Sequence, residues 1–382
     1  MSATALRHRL TSIDALRGLV MVVMLLDHVR ETVFLHHQVG DPMDPLTTDP
    51  ALFFTRLSSM VCAPVFVALT GLSAWLYGQN RSTGEVSAFL LKRGLFLMIL
   101  EVTLIGFAWS GKLIPTTFWL QVIWAIGLCM VVLAGLIHLP RKAQIALGLV
   151  IVCGHNLLDG IQFDASSPFF APWALLHQRE VIELGGGLIA KTTYPVLPWT
   201  GVILLGYALG PWFASTADPA RRQRNLLWLG GGLLAGFVVL RGLNIYGDAP
   251  WTAHADALRT AMSVLSLTKY PPSLLFLLLT LSLGLILLAA FQRTRDGVVW
   301  QALVTLGGAP MFFYVLHLLV LRALYVAASH IWGSNQGSLF GFDHLWQVWA
   351  LWAVLIVPLY WPTQWFARLR QRRRDLTFLR YF

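Results

Sequence analysis

Apolar segments of about twenty residues recur from one end of the chain to the other, each long enough to cross a hydrocarbon layer of about 30 Å as a helix. In such a layer every backbone N–H and C=O must be satisfied within the protein, which restricts a chain built this way to packed helices. The pattern predicts ten spans, at about 13–36, 57–78, 88–110, 117–138, 141–157, 195–215, 225–246, 270–291, 300–328 and 343–366. Of the 382 residues 57% are hydrophobic and only 12% charged, against roughly 25% charged in soluble domains. The fold class is therefore an all-α polytopic membrane protein, one membrane domain over 1–382 with a basic tail at 367–382. The fifth span is short, and the stretch after it, with "SPFFAPWALL" and "GGG", reads as a re-entrant or surface helix.

Most of the 28 Lys and Arg residues fall in the terminal segments and alternate loops that would face the cytoplasm, so both termini are expected there. The formal charge of +10 sits in those short loops and in the tail "RLRQRRRDLTFLR". Topology and contact with anionic lipid headgroups explain it better than a nucleic-acid partner. Cys62, Cys129 and Cys153 all lie inside spans and imply no disulfide framework. The first span is about twice the length of a signal-peptide core, so it is expected to be retained. No internal repeat is evident.

The first span ends unusually, in "MLLDHVRETVFLHH". Counting from Arg17 at about 1.5 Å per residue puts His28 about 16 Å deep, close to the midplane. Charges there are costly and usually face the bundle interior or a wet cavity, which makes function the default hypothesis. Helical spacing lets Asp27 meet Arg30 and Glu31. In one reading Asp27 and Arg30 neutralise each other and His28 is a satisfied interior histidine. In the other a carboxylate orients His28 as a general base. Glu101, alone in the third span, and His317, three residues after Tyr314, are further candidates at depth.

On the outer side, "TTYPVLPW" and "TKYPPSLLF" each place a Tyr-Pro at a helix start, giving Tyr194 and Tyr270. Arg30, Arg56, Arg241, Lys269 and Arg322 run against the positive-inside trend, as a phosphate- or carboxylate-binding cavity would require. Pairing with Asp41, Asp44, Asp49 and Asp248 is the alternative. Phosphate-loop, dinucleotide, HExxH and CxxC motifs are absent. His36–His37 is a weak metal signal, because neighbours on a helix point about 100° apart, and no resident metal is expected.

The series "SIDALRGLVMVVMLLDHVRE", "DPALFFTRLSSMVCAPVFVALTG", "FLLKRGLFLMILEVT", "YPVLPWTGVILLGYALG", "YPPSLLFLLLTL" and "APMFFYVLHLLVL" resembles the bacterial relatives of heparan-α-glucosaminide N-acetyltransferase. The resemblance implies a multi-pass enzyme of a bacterial inner membrane that delivers an acetyl group from acetyl-CoA, as co-substrate, to an amino sugar. In the lysosomal members a histidine and a nearby asparagine on the matching helix are catalytic. Here His28 falls where the asparagine would be, and His36 and His37 lie near the place of the histidine, so the catalytic base is either His28 or one of that pair. Related membrane acyltransferases imply a homodimer by analogy.

The expected site thus has Asp27, His28, His36, His37, Glu101 and His317 as catalytic candidates. Arg17, Arg30, Arg56, Arg241, Lys269, Tyr194, Tyr270, Tyr314 and Arg322 are the candidates for binding acetyl-CoA. Two other classes use similar features: a transporter or flippase of a sugar or lipid-linked substrate, and a non-catalytic membrane binding protein. The first usually carries symmetric repeats, and the second leaves the polar cluster at depth unexplained.

Overall fold

Helix α1 (Ala3–Val33) has no proline and a single glycine, Gly18, and the run Leu16–Leu26 is apolar apart from Arg17 and that glycine. The computed structural model describes residues 3–37, 43–293, 297–373 and 375–382, and they are predominantly helical. After α1 come α2 (Pro50–Ser58), α3 (Cys62–Gly78), α4 (Thr83–Leu100), α5 (Gly106–Ser110) and α6 (Val122–Leu136). Then follow α7 (Arg141–Gly154), α8 (Phe170–Leu176), α9 (Leu197–Ala208), α10 (Pro219–Leu243) and α11 (Ala257–Leu265). Helices α12 (Leu274–Ala290), α13 (Val298–Gly308), α14 (Pro310–Trp332) and α15 (Leu345–Arg372) complete the chain. Several starts are set by local chemistry: Asp49 and Asp218 accept first-turn N–H groups ahead of Pro50 and Pro219, and Ser82 and Glu85 cap α4 reciprocally.

Four helices among the described residues are long and apolar enough to cross a membrane: Pro50–Gly78, in which α2 runs through a short 3₁₀ turn into α3, then α10, α14 and α15. Helices α6, α12 and α13 are apolar but shorter. The expected span 300–328 is two helices, because Ala309 leaves the helical region (φ −138°, ψ 57°) ahead of Pro310, which starts α14. The span 88–110 continues from α4 through a π-helical turn, Glu101–Ile105, into α5. The three cysteines are free thiols, with Cys62 and Cys129 buried and Cys153 exposed.

The chain forms two compact units, Met1–Cys62 with Trp251–Ser266 and Ala290–Phe382, and Ala63–Pro250 with Leu267–Ala289. In the first, α1 lies directly on α13. A Cβ added to Gly18 would stand 1.9 Å from the Leu303 carbonyl oxygen, and one on Gly307 would stand 1.7 Å from that of Asp14. Small residues at both points let the two backbones touch. Trp352 of α15 donates to the Val22 carbonyl at 2.8 Å, and Trp349 to Thr55 Oγ1 of α2 at 3.3 Å. Because backbone atoms cannot swing aside as a flexible side chain can, Gly307→Ala is expected to destabilise the protein by at least the low end of the overpacking range of about 1–3 kcal/mol. Thermal unfolding in detergent checks this, and an unchanged melting curve would contradict it.

The second unit carries a sheet, a departure from an all-α fold. Strands β1 (Thr117–Leu120), β2 (Val181–Gly185) and β3 (Leu188–Thr192) form a sheet in the order β1-β3-β2. Strand β1 runs parallel to β3, with Thr117 opposite Ile189, and β2 runs antiparallel to it. Where a re-entrant or surface helix is expected, the chain forms the short α8 followed by a hairpin. Gly185, Gly186 and Gly187 all have positive φ (85°, 61° and 79°), so the triplet makes the turn and cannot be helical. The expected span 117–138 likewise opens on β1 before α6 begins.

Candidate active site

In the first unit α1 presents two adjacent polar clusters. Asp27 Oδ1 accepts from Arg30 Nε at 3.1 Å and Nη2 at 2.8 Å, and Asp27 Oδ2 accepts from Arg56 Nη1 of α2 at 2.6 Å. Arg30 also donates to Glu31 Oε1 at 3.2 Å. Asp27, Arg30 and Arg56 are all buried, Arg30 to 1% exposure. A buried carboxylate flanked by two guanidinium groups is an ion cluster in which opposite charges offset part of the cost of burying each other, although Arg30 Nη1 is buried without a hydrogen-bond partner. Both oxygens of Asp27 are engaged by these arginines.

His28 meets a different partner. Its Nδ1 lies 2.6 Å from Nε2 of His317 on α14, and His317 Nδ1 lies 2.7 Å from the Phe313 carbonyl oxygen. A carbonyl can only accept, so His317 Nδ1 carries the proton and, in the neutral ring, Nε2 carries the lone pair. His28 Nδ1–H is then the donor to His317, which leaves the lone pair of His28 on Nε2. The rings stack 5.0 Å apart, and Tyr314 stands edge-on to both, at 5.6 and 5.5 Å. His317 is fully buried and His28 nearly so, so the pair is held in one orientation by packing as well as by hydrogen bonds.

The other candidates of this unit have separate settings. Arg17 is paired with Asp14 at 3.0 Å. His36 and His37 lie in the 3₁₀ turn Leu35–His37 beyond α1; His37 stacks on Phe34 at 4.3 Å, and His36 packs so closely against Gly341 that a Cβ there would stand 2.4 Å from its ring. Arg322 lies over the Tyr325 ring at 6.0 Å.

In the second unit Glu101 is fully buried, and its Oε2 accepts the N–H groups of Ile123 and Trp124 at 3.1 and 3.2 Å. It caps the start of α6, whose first N–H groups lack partners within the helix. Arg241 donates to the Ala249 carbonyl at 2.8 Å. Tyr194 and Tyr270, the two Tyr-Pro tyrosines, come together with hydroxyls 3.2 Å apart. Lys269 and Arg179 both lie over the Tyr270 ring, at 5.1 and 5.4 Å. Two cations against one ring leave positive charge that can take an anionic ligand, and Arg179 of this group was not among the sequence candidates because it lies 15 residues before the first Tyr-Pro. The acidic partners considered for the basic set are occupied locally. Asp49 caps α2, Asp248 accepts from Thr268 and Ser273, and hydrogen bonds from Thr47 and the Leu46 N–H hold Asp44 below the usual carboxylate range. Asp41 lies outside the described residues.

A family model described as heparan-alpha-glucosaminide N-acetyltransferase, catalytic, matches residues 9–247. The chain belongs to this family. Comparison with curated protein sequences gives no match. Membership in the heparan-alpha-glucosaminide N-acetyltransferase family suggests acetyltransferase activity, and the apolar helices fit a transmembrane transferase. The matched segment takes in Asp27, His28, His36, His37, Arg56 and Glu101, whereas Tyr314 and His317 lie beyond it. The histidine pair therefore joins a residue inside the family segment to one 289 positions further along the chain.

Proposed function

We propose that the protein transfers an acetyl group from acetyl-CoA to the amine of an amino sugar or a related cell-envelope acceptor, with His28 as general base. The observation that carries this reading is the hydrogen-bonded relay from His28 Nδ1 through His317 to the Phe313 carbonyl, which directs the lone pair of His28 to Nε2. Acetyl-CoA supplies a thioester, whose carbonyl carbon is the electrophile. His28 Nε2 takes the proton from the acceptor amine as its C–N bond forms, and returns it to the thiolate sulfur as the C–S bond breaks. His317 is a positioning residue, holding the His28 tautomer by accepting its Nδ1–H. The ion cluster of Asp27, Arg30 and Arg56 fixes α1 to α2 beside the base and leaves the two arginines committed to a carboxylate, so in this reading neither serves the nucleotide.

Ten spans in one membrane domain, cytoplasmic termini and a bacterial inner membrane belong to the same proposal, supported by the Lys and Arg distribution and the apolar segments. The test uses the full-length protein purified in detergent, incubated with labelled acetyl-CoA and a panel of glucosamine-type acceptors. Label on the acceptor amine is the expected result. Absence of transfer from any acyl-CoA to any acceptor of the panel would overturn the reading.

A further inference from the structure

The second unit holds a polar group that the acetyltransferase reading does not use. His155 follows α7, Asp159 follows it by one helical turn, and His177 follows α8. One ligating atom from each lies within 4.8 Å of the other two, and His177 Nε2 stands 2.9 Å from Asp159 Oδ1. His155 is 2% exposed, yet neither of its ring nitrogens has a hydrogen-bond partner, and the same holds for Nδ1 of the buried His177. Buried imidazole nitrogens are ordinarily bonded, and an ion held by one nitrogen of each ring and by the carboxylate would give the His155 ring the partner it lacks.

We propose that His155, Asp159 and His177 bind a transition-metal dication of the zinc class. Two imidazoles and one carboxylate form a donor set that favours zinc, cobalt, nickel or copper over magnesium and calcium. Ligands at 2.0–2.2 Å around a tetrahedral ion stand about 3.3 Å apart, so this trio closes on an ion by shifts of about 1.5 Å or less. The Asp159 side chain is 51% exposed, which gives the ion a route from solvent. Three protein ligands leave a fourth position for water or an anion. The carboxylate is also oriented from behind. Asn156 Oδ1 accepts the Leu274 N–H at 2.9 Å, which fixes the amide so that Nδ2 donates to Asp159 Oδ2 at 2.9 Å. Such outer partners are characteristic of metal ligands. A bound ion would clip the end of α7 to the end of α8, ahead of the β2–β3 hairpin.

The test uses the full chain purified through a tag without histidine, stripped with chelator and titrated with zinc or cobalt salt alone. The expected result is one ion per chain, visible d–d bands of a four-coordinate cobalt site, and a melting temperature raised by zinc. His155→Ala and Asp159→Asn should each weaken binding by more than about a hundredfold, and Asn156→Ala by about 10–100-fold. Replacing both His36 and His37 by alanine should leave binding unchanged. Failure of the folded wild type to bind stoichiometrically would overturn the site, as would wild-type affinity in Asp159→Asn. The Asp159 and Asn156 variants alter partly exposed side chains, so they keep the test decisive if His155→Ala does not fold.

Discussion

His28→Ala is expected to lower kcat/KM for acetyl transfer by about 10²–10⁴-fold, the range a positioned general base contributes. The variant should still fold, because Asp27, Arg30 and Arg56 make their ion cluster without the imidazole. His317 separates a catalytic role from mere packing. His317→Leu keeps the volume but removes the acceptor that holds the His28 Nδ1–H, so the base is no longer fixed in its tautomer and orientation, and the rate should fall by about 10–100-fold. His317→Gln retains a side-chain oxygen that can accept that proton, and it should recover most of the loss. Both effects should fall on kcat with KM little changed, since His317 acts through His28 and touches no substrate in this scheme. Steady-state kinetics on the three variants checks the set. Equal rates for His317→Leu and wild type would remove His317 from the mechanism, and near-wild-type rates for His28→Ala would shift the base to His36 or His37.

What was legible in the sequence was whatever depends on spacing along one helix. Asp27 and Arg30, three apart, pair as helical geometry requires, whereas the helix expected from about 57 starts at Pro50, behind the Asp49 cap. The anomaly of ionisable groups in an apolar run was visible too, but the identity of their partners was not. Adjacent residues on a helix diverge by about 100°, so Asp27 and His28 face different neighbours, and those neighbours are set by packing. Arg56 arrives from α2, 29 residues on, and His317 from α14, 289 residues on. No periodicity links such positions.

The same limit hid the metal-ligand group. His155 and Asp159 share the i, i+4 spacing of a helix face, but His177 comes 18 residues later, beyond α8. The sheet was missed for a different reason. Its strands are only four or five residues long, and β1 opens a longer apolar run whose length points to a helix. The GGG triplet was the available signal, since three consecutive positive-φ residues mark a turn.

Asp27→Ala is expected to cost about 3–5 kcal/mol of stability, because it strands two guanidinium groups away from water. Arg30 is 1% exposed and Arg56 6%, so neither can recover hydration by a change of rotamer alone. Glu31 offers limited relief: its Oε1 lies 3.2 Å from Arg30 but 3.9 Å from Arg56, and its side chain is a third exposed, where attraction is screened. With Asp27 gone, two like charges face each other across α1 and α2 with one peripheral carboxylate between them. Asp27→Asn keeps the shape and one acceptor oxygen but not the charge, and it should fall between alanine and wild type. The decisive comparison is a cycle with Arg56. If the cluster is a unit, Asp27→Ala with Arg56→Leu should be less destabilised than the sum of the single variants, because removing the second charge undoes part of the first loss. Denaturant or thermal unfolding in detergent measures all four proteins. Additive losses would mean that the arginines are satisfied by other groups and that Asp27 is not the centre that holds α1 against α2.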